Sequence, residues 1–485
     1  MWHSIKSFHN ALLKSIRFKL FIAVYIIYQL GIGWGVHQMD EWAHYIMIIA
    51  LVEDNTFIVT KYVHYIYFTV GFYEGNYYVA KAPGLSFLGI PIYMLLKILD
   101  GYVSFPNHYQ YILISFVAVI SALTVVLVHD VCRLLNCSER TSILTAILSA
   151  FGIAWTHSKR FEDGSVSPFF LLMGIYLLMK VTRNQLPEKE EMKYLAFAGV
   201  SIGYALLVEY TNVILLVPII SYVIFTYKAK IFGHKLRQVL CLFSPIVAMG
   251  LVILGLNQIL FDSPFSTAYT YHTFGPATEF SITYIPQGLF KFLIYSDLGG
   301  GSLFFYQPLI FFTSTFGFFK MYKLFKRETL LFIASILLNI LFFSMRVDLG
   351  GGFHYIGPGY IHPVLPLLII PTALTIETFN AKSVSIFRRR IFWSVYLGLF
   401  AFSVVVIGAC VLAYNFTILN LPIAYIGAFE LLKSGYLDPR LLKHRFLPSI
   451  LVGILLYVVF WDRRGTLKSR LRKIFGIKKK KNELS

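Results

Sequence analysis

Charged residues are scarce in this sequence. Asp, Glu, Lys and Arg make up 14% of its 485 residues and apolar residues 57%, a balance that excludes an ordinary water-soluble domain. Apolar runs near or above the roughly 18 residues that cross a bilayer recur from 18–36 to 450–461, with no long polar stretch between them. We therefore predict an all-α integral membrane protein whose residues 1–462 form one polytopic domain.

Features of disulfide and metal chemistry are also missing. The four cysteines lie in or beside apolar runs, and no Cys/His set has the spacing of a zinc site. The sequence has no Asp-x-Asp, P-loop, Gly-x-Ser-x-Gly or His-Glu-x-x-His motif. The sequence therefore shows no sign of metal-dependent binding of a soluble nucleotide sugar. We predict neither a metal nor another required cofactor.

Positive charge is in excess, with 43 Lys and Arg against 24 Asp and Glu. It is concentrated near the N-terminus, in the tail 463–485 and in loops that alternate with acidic ones. By the positive-inside rule the basic loops and both termini face the cytoplasm, as expected of a multi-pass protein of the cell membrane. Anchoring to anionic lipid explains this charge better than nucleic-acid binding does. The first apolar run lacks a cleavage site and predicts a retained helix.

Thirteen candidate spans separate these loops. They cover 18–36, 84–99, 109–130, 141–157, 165–182, 194–210, 212–227, 238–260, 302–319, 328–345, 359–378, 391–414 and 447–461. Thirteen full crossings would put the two basic termini on opposite sides, so we predict about 12–13 transmembrane helices with one segment that does not cross. The candidate is 84–99, which is short enough for a re-entrant or half-length helix.

The first extracytoplasmic loop, 38–83, mixes aromatic residues with charges, a pattern typical of helices that lie in the membrane interface. Asp40 and Glu41 follow the first span at once, where burial can raise a carboxyl pKa enough for general-base work. Complementing a helix dipole is the alternative. Lys81 ends the loop just before Pro83, where a cation can take an anionic leaving group or simply snorkel at a helix end.

Two further outer segments carry chemically capable side chains. The short run His157-Ser158-Lys159-Arg160-Phe161-Glu162-Asp163 packs two cations and two carboxylates together, and we predict that it forms a pocket wall. Asp297 begins an Asp-Leu-Gly-Gly-Gly run that recurs at Asp348, and Gly-rich backbone can approach an anion. The second copy leads into His354, Tyr360 and His362, where an aromatic belt at the interface is the alternative explanation.

In this order, the features resemble the GT-C membrane glycosyltransferases, especially the branch of protein O-mannosyltransferases and aminoarabinose transferases. The resemblance covers most of the chain, through segments 40–41, 81–83, 158–163, 297–308 and 350–366. It implies an inverting, metal-independent enzyme that moves a sugar from a polyprenyl-phosphate-linked donor to an acceptor hydroxyl at the extracytoplasmic face. A glycan, a lipid or a protein would be the acceptor.

The resemblance also implies residue roles. Asp40 is the expected general base with Glu41 as its neighbour, and Lys81, Arg160 and Lys159 are expected to hold the donor phosphate. The expected substrate pocket contains Glu162, Asp163, Asp297, His354, Tyr360 and His362. One departure is Gly359, since family members often carry Arg there, so that phosphate contact is lost or supplied by His354 or His362. A lipid-linked sugar flippase or a transporter is the alternative function, although the nearly charge-free interiors of the spans weigh against a transporter.

Overall fold

The computed structural model describes residues 15–29, 36, 39–100, 109–184, 186–226, 232–273, 280–294, 303–346 and 359–412. The predicted pocket residues Asp297 and His354 lie outside the described residues, as do the predicted span 447–461 and the tail 463–485. Within the described ranges the apolar runs are helical, because a helix satisfies its own backbone hydrogen bonds and can therefore lie in lipid.

The helices are numbered in chain order. They are α1 (Ile16–Gln29), α2 (Met39–Glu53), α3 (Val63–Ile66), α4 (Gly84–Asp100), α5 (Tyr109–Leu134), α6 (Glu139–Ala150), α7 (Ile153–His157), α8 (Asp163–Arg183), α9 (Glu188–Val208), α10 (Leu216–Thr226), α11 (Phe232–Phe261), α12 (Ile285–Leu293), α13 (Leu303–Tyr306), α14 (Pro308–Leu324), α15 (Lys326–Ser344), α16 (Leu365–Ile369), α17 (Thr372–Asn380) and α18 (Ile386–Leu412). Seven segments among the described residues are long and apolar enough to cross a membrane. The chain is therefore a multi-pass membrane protein.

Two of the predicted spans are broken helices. The span predicted at 141–157 is divided at Gly152, whose extended backbone separates α6 from α7. The span predicted at 359–378 begins as a 3₁₀ helix, Gly359–Val364, and continues through α16 and α17. Pro363, Pro366 and Pro371 punctuate it, and each lacks the amide hydrogen that a continuous α-helix needs.

Helix α9 lies at the centre of one part of the bundle. It packs against α8 on one side and α11 on the other, and α8 in turn packs against α5. Only 11% of the apolar stretch Leu236–Phe261 of α11 is buried, so most of this helix faces outward, as a lipid-facing helix does. One side of α11 nevertheless lines the interior cavity that is described below.

The first outer loop contains a small sheet that the sequence pattern did not predict. Alongside α2 and α3, strands β1 (Val70–Tyr73) and β2 (Asn76–Val79) form an antiparallel hairpin. Glu74 and Gly75 both have positive φ, at 47° and 81°, which is the backbone of the tight turn that matches the twist of paired strands. The loop is therefore part helical and part sheet, within a fold that is otherwise helical in the described ranges.

Helix α4, the segment predicted not to cross, starts at the cavity and leads away from the basic end of the bundle. A Cβ added to Gly89 would meet side chains of Ile48 and Leu113, so this part of α4 packs on α2 and on the first turns of α5. Farther along, the Tyr93 ring packs at a tilt against that of Tyr109, the first residue of α5, with ring centroids 5.1 Å apart. Helix α4 is one of the shorter apolar helices of the described residues, and that it does not cross the bilayer stays a prediction.

Candidate active site

One cavity of about 790 Å³ collects polar residues from parts of the chain that are far apart in sequence. Its volume suits a small-molecule site. The polar lining includes Asp40, Lys81, Asp163, Glu209, Thr211, Tyr269, His272, Arg346 and Tyr360. These residues come from loops and helix ends rather than from the middle of spans. The cavity therefore lies at one end of the bundle, as the sequence predicts for the chemically capable residues.

Asp40 and Lys81 form an ion pair on the cavity wall, with Lys81 Nζ 2.8 Å from Asp40 Oδ2. Both side chains remain partly exposed, by 26% for Asp40 and 12% for Lys81. Burial opposes the charge on Lys81, but the carboxylates of Asp40 and Asp163 outweigh it and hold the pKa of Lys81 well above its ordinary value. Lys81 is therefore a cation at neutral pH, beside a carboxylate that can accept a proton.

The chain after Lys81 is held in place by a close backbone contact. At Gly84 an added Cβ would lie 2.5 Å from the Leu207 carbonyl carbon, so only glycine lets the start of α4 touch the end of α9. Tyr204 donates a hydrogen bond from its hydroxyl to the Gly84 carbonyl oxygen at 2.8 Å. The Pro-Gly entry therefore fixes Lys81 next to the residues that follow α9.

Asp163 joins the pair from the first turn of α8. Its Oδ1 accepts a hydrogen bond from the Gly164 amide at 2.9 Å, and its charge contributes to the raised pKa of Lys81. A carboxylate at a helix N-terminus also complements the helix dipole. The structure thus brings Asp40, Lys81 and Asp163 to one wall of the cavity.

Glu41 points away from this cavity. Its side chain is buried and its Oε1 accepts a hydrogen bond from the Phe161 amide at 3.1 Å. Successive residues of a helix leave it in different directions, so the two neighbouring carboxylates have different surroundings. Glu41 ties α2 to the 158–162 loop, and we leave it out of the reacting groups.

Arg160 and Glu162 lie in a buried layer behind the cavity. Glu162 shares a hydrogen bond with His157 Nδ1 and lies 3.8 Å from Arg160 Nη1. Burial raises the pKa of Glu162 to about 8, against the opposing charge of Arg160. His362 packs on His157 at a ring distance of 3.5 Å and donates from Nδ1 to the Gly164 carbonyl oxygen at 2.9 Å. The layer supports the wall from which Asp163 projects.

Lys159, a predicted phosphate ligand, is directed elsewhere. Its side chain is buried and its Nζ donates a hydrogen bond to the carbonyl oxygen of Val411, 3.2 Å away. Val411 lies in the last turn of α18, where carbonyl groups have no partner within the helix. Lys159 therefore caps α18, and we do not include it in the phosphate site.

A loop after α11, residues 262–273, covers the cavity and was not singled out from the sequence. Phe72 donates from its amide to the Tyr271 carbonyl oxygen at 2.8 Å, and Gly71 pairs with His272. A Cβ at Gly71 would lie 2.1 Å from the Ala268 carbonyl oxygen. This loop carries Tyr269 into the cavity, and its polar composition alone gave no signal of that role.

Arg346 is a second cation of the cavity lining. Its guanidinium carbon lies 4.6 Å from the centre of the Tyr360 ring, a cation–π contact. Tyr360 stacks in turn on Phe343, with centroids 4.7 Å apart. Burial raises the pKa of Tyr269 to about 12, although the charges of Lys81 and Arg346 act in the opposite direction. Both cations therefore act on one hydroxyl group.

Glu209 is another polar residue of the lining that was not singled out from the sequence. It follows the last residue of α9 and lines the cavity beside Asp163 and Lys81. In the sequence it falls at the end of the predicted span 194–210, and one Glu at the end of a span has no motif around it. Among the described residues, no group of three or more His, Cys, Asp and Glu side chains has the arrangement of a metal site.

Comparison with known proteins bears on this architecture. A family model described as dolichyl-phosphate-mannose-protein mannosyltransferase matches residues 103–253, about a third of the chain. ArnT from Cupriavidus metallidurans, bound to undecaprenyl phosphate, superposes with a TM-score of 0.51 at 14% identity, over 91% of this chain and 75% of ArnT. The chain has the GT-C fold.

Other GT-C structures are similar over less of their length. The archaeal oligosaccharyltransferase AglB from Archaeoglobus fulgidus, in complex with an inhibitory peptide and a dolichol-phosphate, superposes with a TM-score of 0.50 at 13% identity, over 89% of this chain and 61% of AglB. In its apo form the A. fulgidus enzyme is covered over 56% of its length. The chain thus spans about three fifths of the oligosaccharyltransferase. No curated protein matches it in sequence.

Proposed function

We propose that this protein is a membrane glycosyltransferase that moves a sugar from a polyprenyl-phosphate donor to an acceptor hydroxyl, with inversion and without a metal. The observation that carries the proposal is the Asp40–Lys81 pair on the wall of a large cavity at one end of the bundle. A base and a phosphate-binding cation are the two groups that this reaction requires.

The reaction follows from the positions of these groups. Asp40 accepts the proton of the acceptor hydroxyl as its oxygen attacks the anomeric carbon of the donor. The bond between that carbon and the phosphate oxygen breaks, and the phosphate leaves with the electron pair. Lys81 and Arg346, which both line the cavity, stabilise the charge that develops on it. Attack opposite the leaving group inverts the anomeric carbon.

The apolar part of the cavity supports a lipid-linked donor. It is lined by Leu206, Val213, Ile253 and Leu254. Helices α9 and α11 and the turn before α10 therefore supply an apolar wall in the same cavity as the charged groups. A polyprenyl chain in this position would remain in an apolar environment while its phosphate reached Lys81. The undecaprenyl phosphate of ArnT and the dolichol-phosphate of AglB support the same class of donor.

The side of the membrane is inferred from charge. The ends of α8 and α9 away from the cavity carry Lys180, Arg183, Lys189 and Lys193, together with three glutamates. The positive-inside rule counts lysine and arginine, and carboxylates contribute little to it. Basic loops remain in the cytoplasm. We therefore place the reaction at the extracytoplasmic face of the cell membrane, with both termini in the cytoplasm and a glycan, lipid or protein acceptor arriving from outside.

The test is sugar transfer by purified protein in lipid. Wild type and Asp40→Asn would be given radiolabelled sugars on polyprenyl phosphates, with and without EDTA. We expect wild-type transfer that persists in EDTA and is lost in Asp40→Asn. Full activity of the mutant would move the base to Asp163. If no donor is consumed but a lipid-linked sugar still crosses the bilayer, the protein is a flippase instead.

A further inference from the structure

Glu209 is placed at the point where α9 ends and the 3₁₀ helix Tyr210–Leu215 begins. Its amide donates to the Ala205 carbonyl oxygen at 3.0 Å, which completes the last turn of α9. Its Oε1 accepts a hydrogen bond from the Thr211 hydroxyl at 2.9 Å. The carboxyl group is therefore held in one orientation at the edge of the cavity.

The carboxyl group also lies within reach of a ligand in the cavity. The hydroxyl groups of Thr211 and Ser167 are its hydrogen-bonding neighbours and favour its charged form. Glu209 is only partly buried and lines the same cavity as Lys81. A carboxylate oxygen can accept more than one hydrogen bond, so a hydroxyl group on a bound ligand can donate to it.

We propose that Glu209 binds a hydroxyl group on the sugar ring of the donor and so helps to select which sugar is transferred. This inference rests on the function proposed above. It assigns Glu209 to substrate recognition and leaves proton removal to Asp40 and the phosphate to Lys81.

The neighbours of Glu209 favour the donor sugar over the other parts of the substrates. A carboxylate repels a phosphate, and the phosphate already has Lys81 nearby. Asp40, the proposed base, takes the attacking hydroxyl of the acceptor. The donor ring is bonded directly to the phosphate that Lys81 holds, and the Lys81 charge also acts on Glu209. A sugar ring whose phosphate is bound by Lys81 would therefore lie in the same cavity as Glu209, where one of its hydroxyl groups can donate to the carboxylate.

Hydrogen bonds of Asn212 hold the backbone next to Glu209 in place. Asn212 donates from its side-chain amide to the Ala205 carbonyl oxygen at 2.7 Å and to Ser167 Oγ at 2.8 Å. These bonds hold the turn that follows Glu209 against α8. Removing the Glu209 carboxyl group therefore leaves the local backbone anchored, so a loss of selectivity can be separated from a loss of structure.

The experiment combines removal of the Glu209 carboxyl group with removal of single hydroxyl groups from the donor sugar. Polyprenyl phosphates carrying glucose, galactose, mannose or arabinose would be screened with wild type, and the best donor would then be prepared in each monodeoxy form. Wild type, Glu209→Ala and Glu209→Gln would be assayed with all forms. We expect Glu209→Ala and one deoxy donor each to lower kcat/KM by roughly 10- to 100-fold, as loss of a hydrogen bond to a charged group does.

The decisive result is that the losses in kcat/KM caused by the protein variant and by the deoxy donor are not additive. The variant should use that deoxy donor no worse than the parent sugar, while the other deoxy donors keep their full penalty. Glu74→Ala, which removes an exposed carboxyl group from the hairpin turn, serves as the control and should keep the same sugar preference. If Glu209→Ala and Glu209→Gln lower the rate equally for every donor, the inference is wrong although the enzyme is a transferase. If wild type transfers from no donor, the proposed function and this inference fail together.

Discussion

Lys81 combines two roles that are usually separate. It neutralises Asp40 in the resting cavity, at 2.8 Å, and the proposed reaction needs it to bind the donor phosphate. An incoming phosphate would share the cation and loosen its hold on Asp40, leaving that carboxylate freer to accept a proton. The pairing thus compensates both partly buried charges before the substrate arrives.

Replacing Lys81 should therefore affect the chemical step. We expect Lys81→Gln to lower kcat by roughly 100- to 1,000-fold, the usual effect of deleting a group that stabilises developing charge. Lys81→Arg should keep part of the activity, since the charge remains. Lys61→Gln is a matched control in the same loop, because Lys61 is exposed and pairs with Asp54. Equal activity of Lys81→Gln and Lys61→Gln in the transfer assay would refute the phosphate role.

Glu209 should also give the protein a pH-dependent stability. Burial and the charge of Asp163 raise its pKa from 4.5 to about 7, so the folded protein binds this proton more tightly than the unfolded chain. The resulting stability is present below the unfolded pKa and is lost as pH rises through about 7. We expect the melting temperature of wild type to fall over this interval more than that of Glu209→Gln. Parallel curves would contradict the assignment, and Glu74→Gln, at an exposed turn, is the control.

At the scale of elements, the hairpin and the 262–273 loop act as one unit. Strand β1 has no side chain at Gly71, and this allows the Ala268 carbonyl oxygen to come within 2.1 Å of the position of a Cβ. Further contacts join Phe72 to Tyr271 and Thr273 to Val70. Tyr269 reaches the cavity because these backbone contacts hold the loop across its opening.

Adding one methyl group at Gly71 should therefore displace the loop. We expect Gly71→Ala to lower kcat/KM by about 100-fold, since a displacement of about 1 Å in a site has an effect of that size, while the bundle itself stays folded. The control is Gly398→Ala in α18, where an added Cβ has open space. Transfer rates and size-exclusion profiles of both variants provide the measurement. Wild-type activity in Gly71→Ala would show that the loop does not position the site.

At the scale of the whole molecule, the cavity lies at one end of the bundle and the first turn of α9 at the other. Helix α9 has 21 residues, or about 30 Å at 1.5 Å per residue, so its two ends lie on opposite sides of a bilayer core. Three acidic residues and Lys189 lie at its first turn, and Glu209 lies at the other end.

Labelling can locate the two ends. In a Cys241→Ser background, whose other cysteines are buried, single cysteines would replace Glu74 in the hairpin turn and Lys189 at the start of α9. An impermeant maleimide should label the cysteine at 74 in intact cells and the cysteine at 189 only after permeabilisation. The reverse pattern would place the cavity in the cytoplasm and exclude the proposed orientation.

The sequence alone determined the class of molecule and singled out Asp40 and Lys81 as candidates for the proposed reaction. Hydropathy decides which segments are helical, because lipid offers no partner for unpaired backbone groups. The positive-inside rule sorts the loops, and the Asp40 and Lys81 candidates followed from that sorting. These features are local, since each depends on residue types within a short stretch.

Only the tertiary structure decided which charged residues line the same cavity. Lys159 and Arg160 are adjacent to Asp163 in sequence, yet one caps α18 and the other lies in the buried layer behind the cavity. Glu209, Tyr269 and Arg346 enter the cavity from distant parts of the chain. Where a side chain points depends on helix ends and backbone contacts such as those of Gly71 and Gly84. Those contacts join segments far apart in sequence, and no local pattern encodes them.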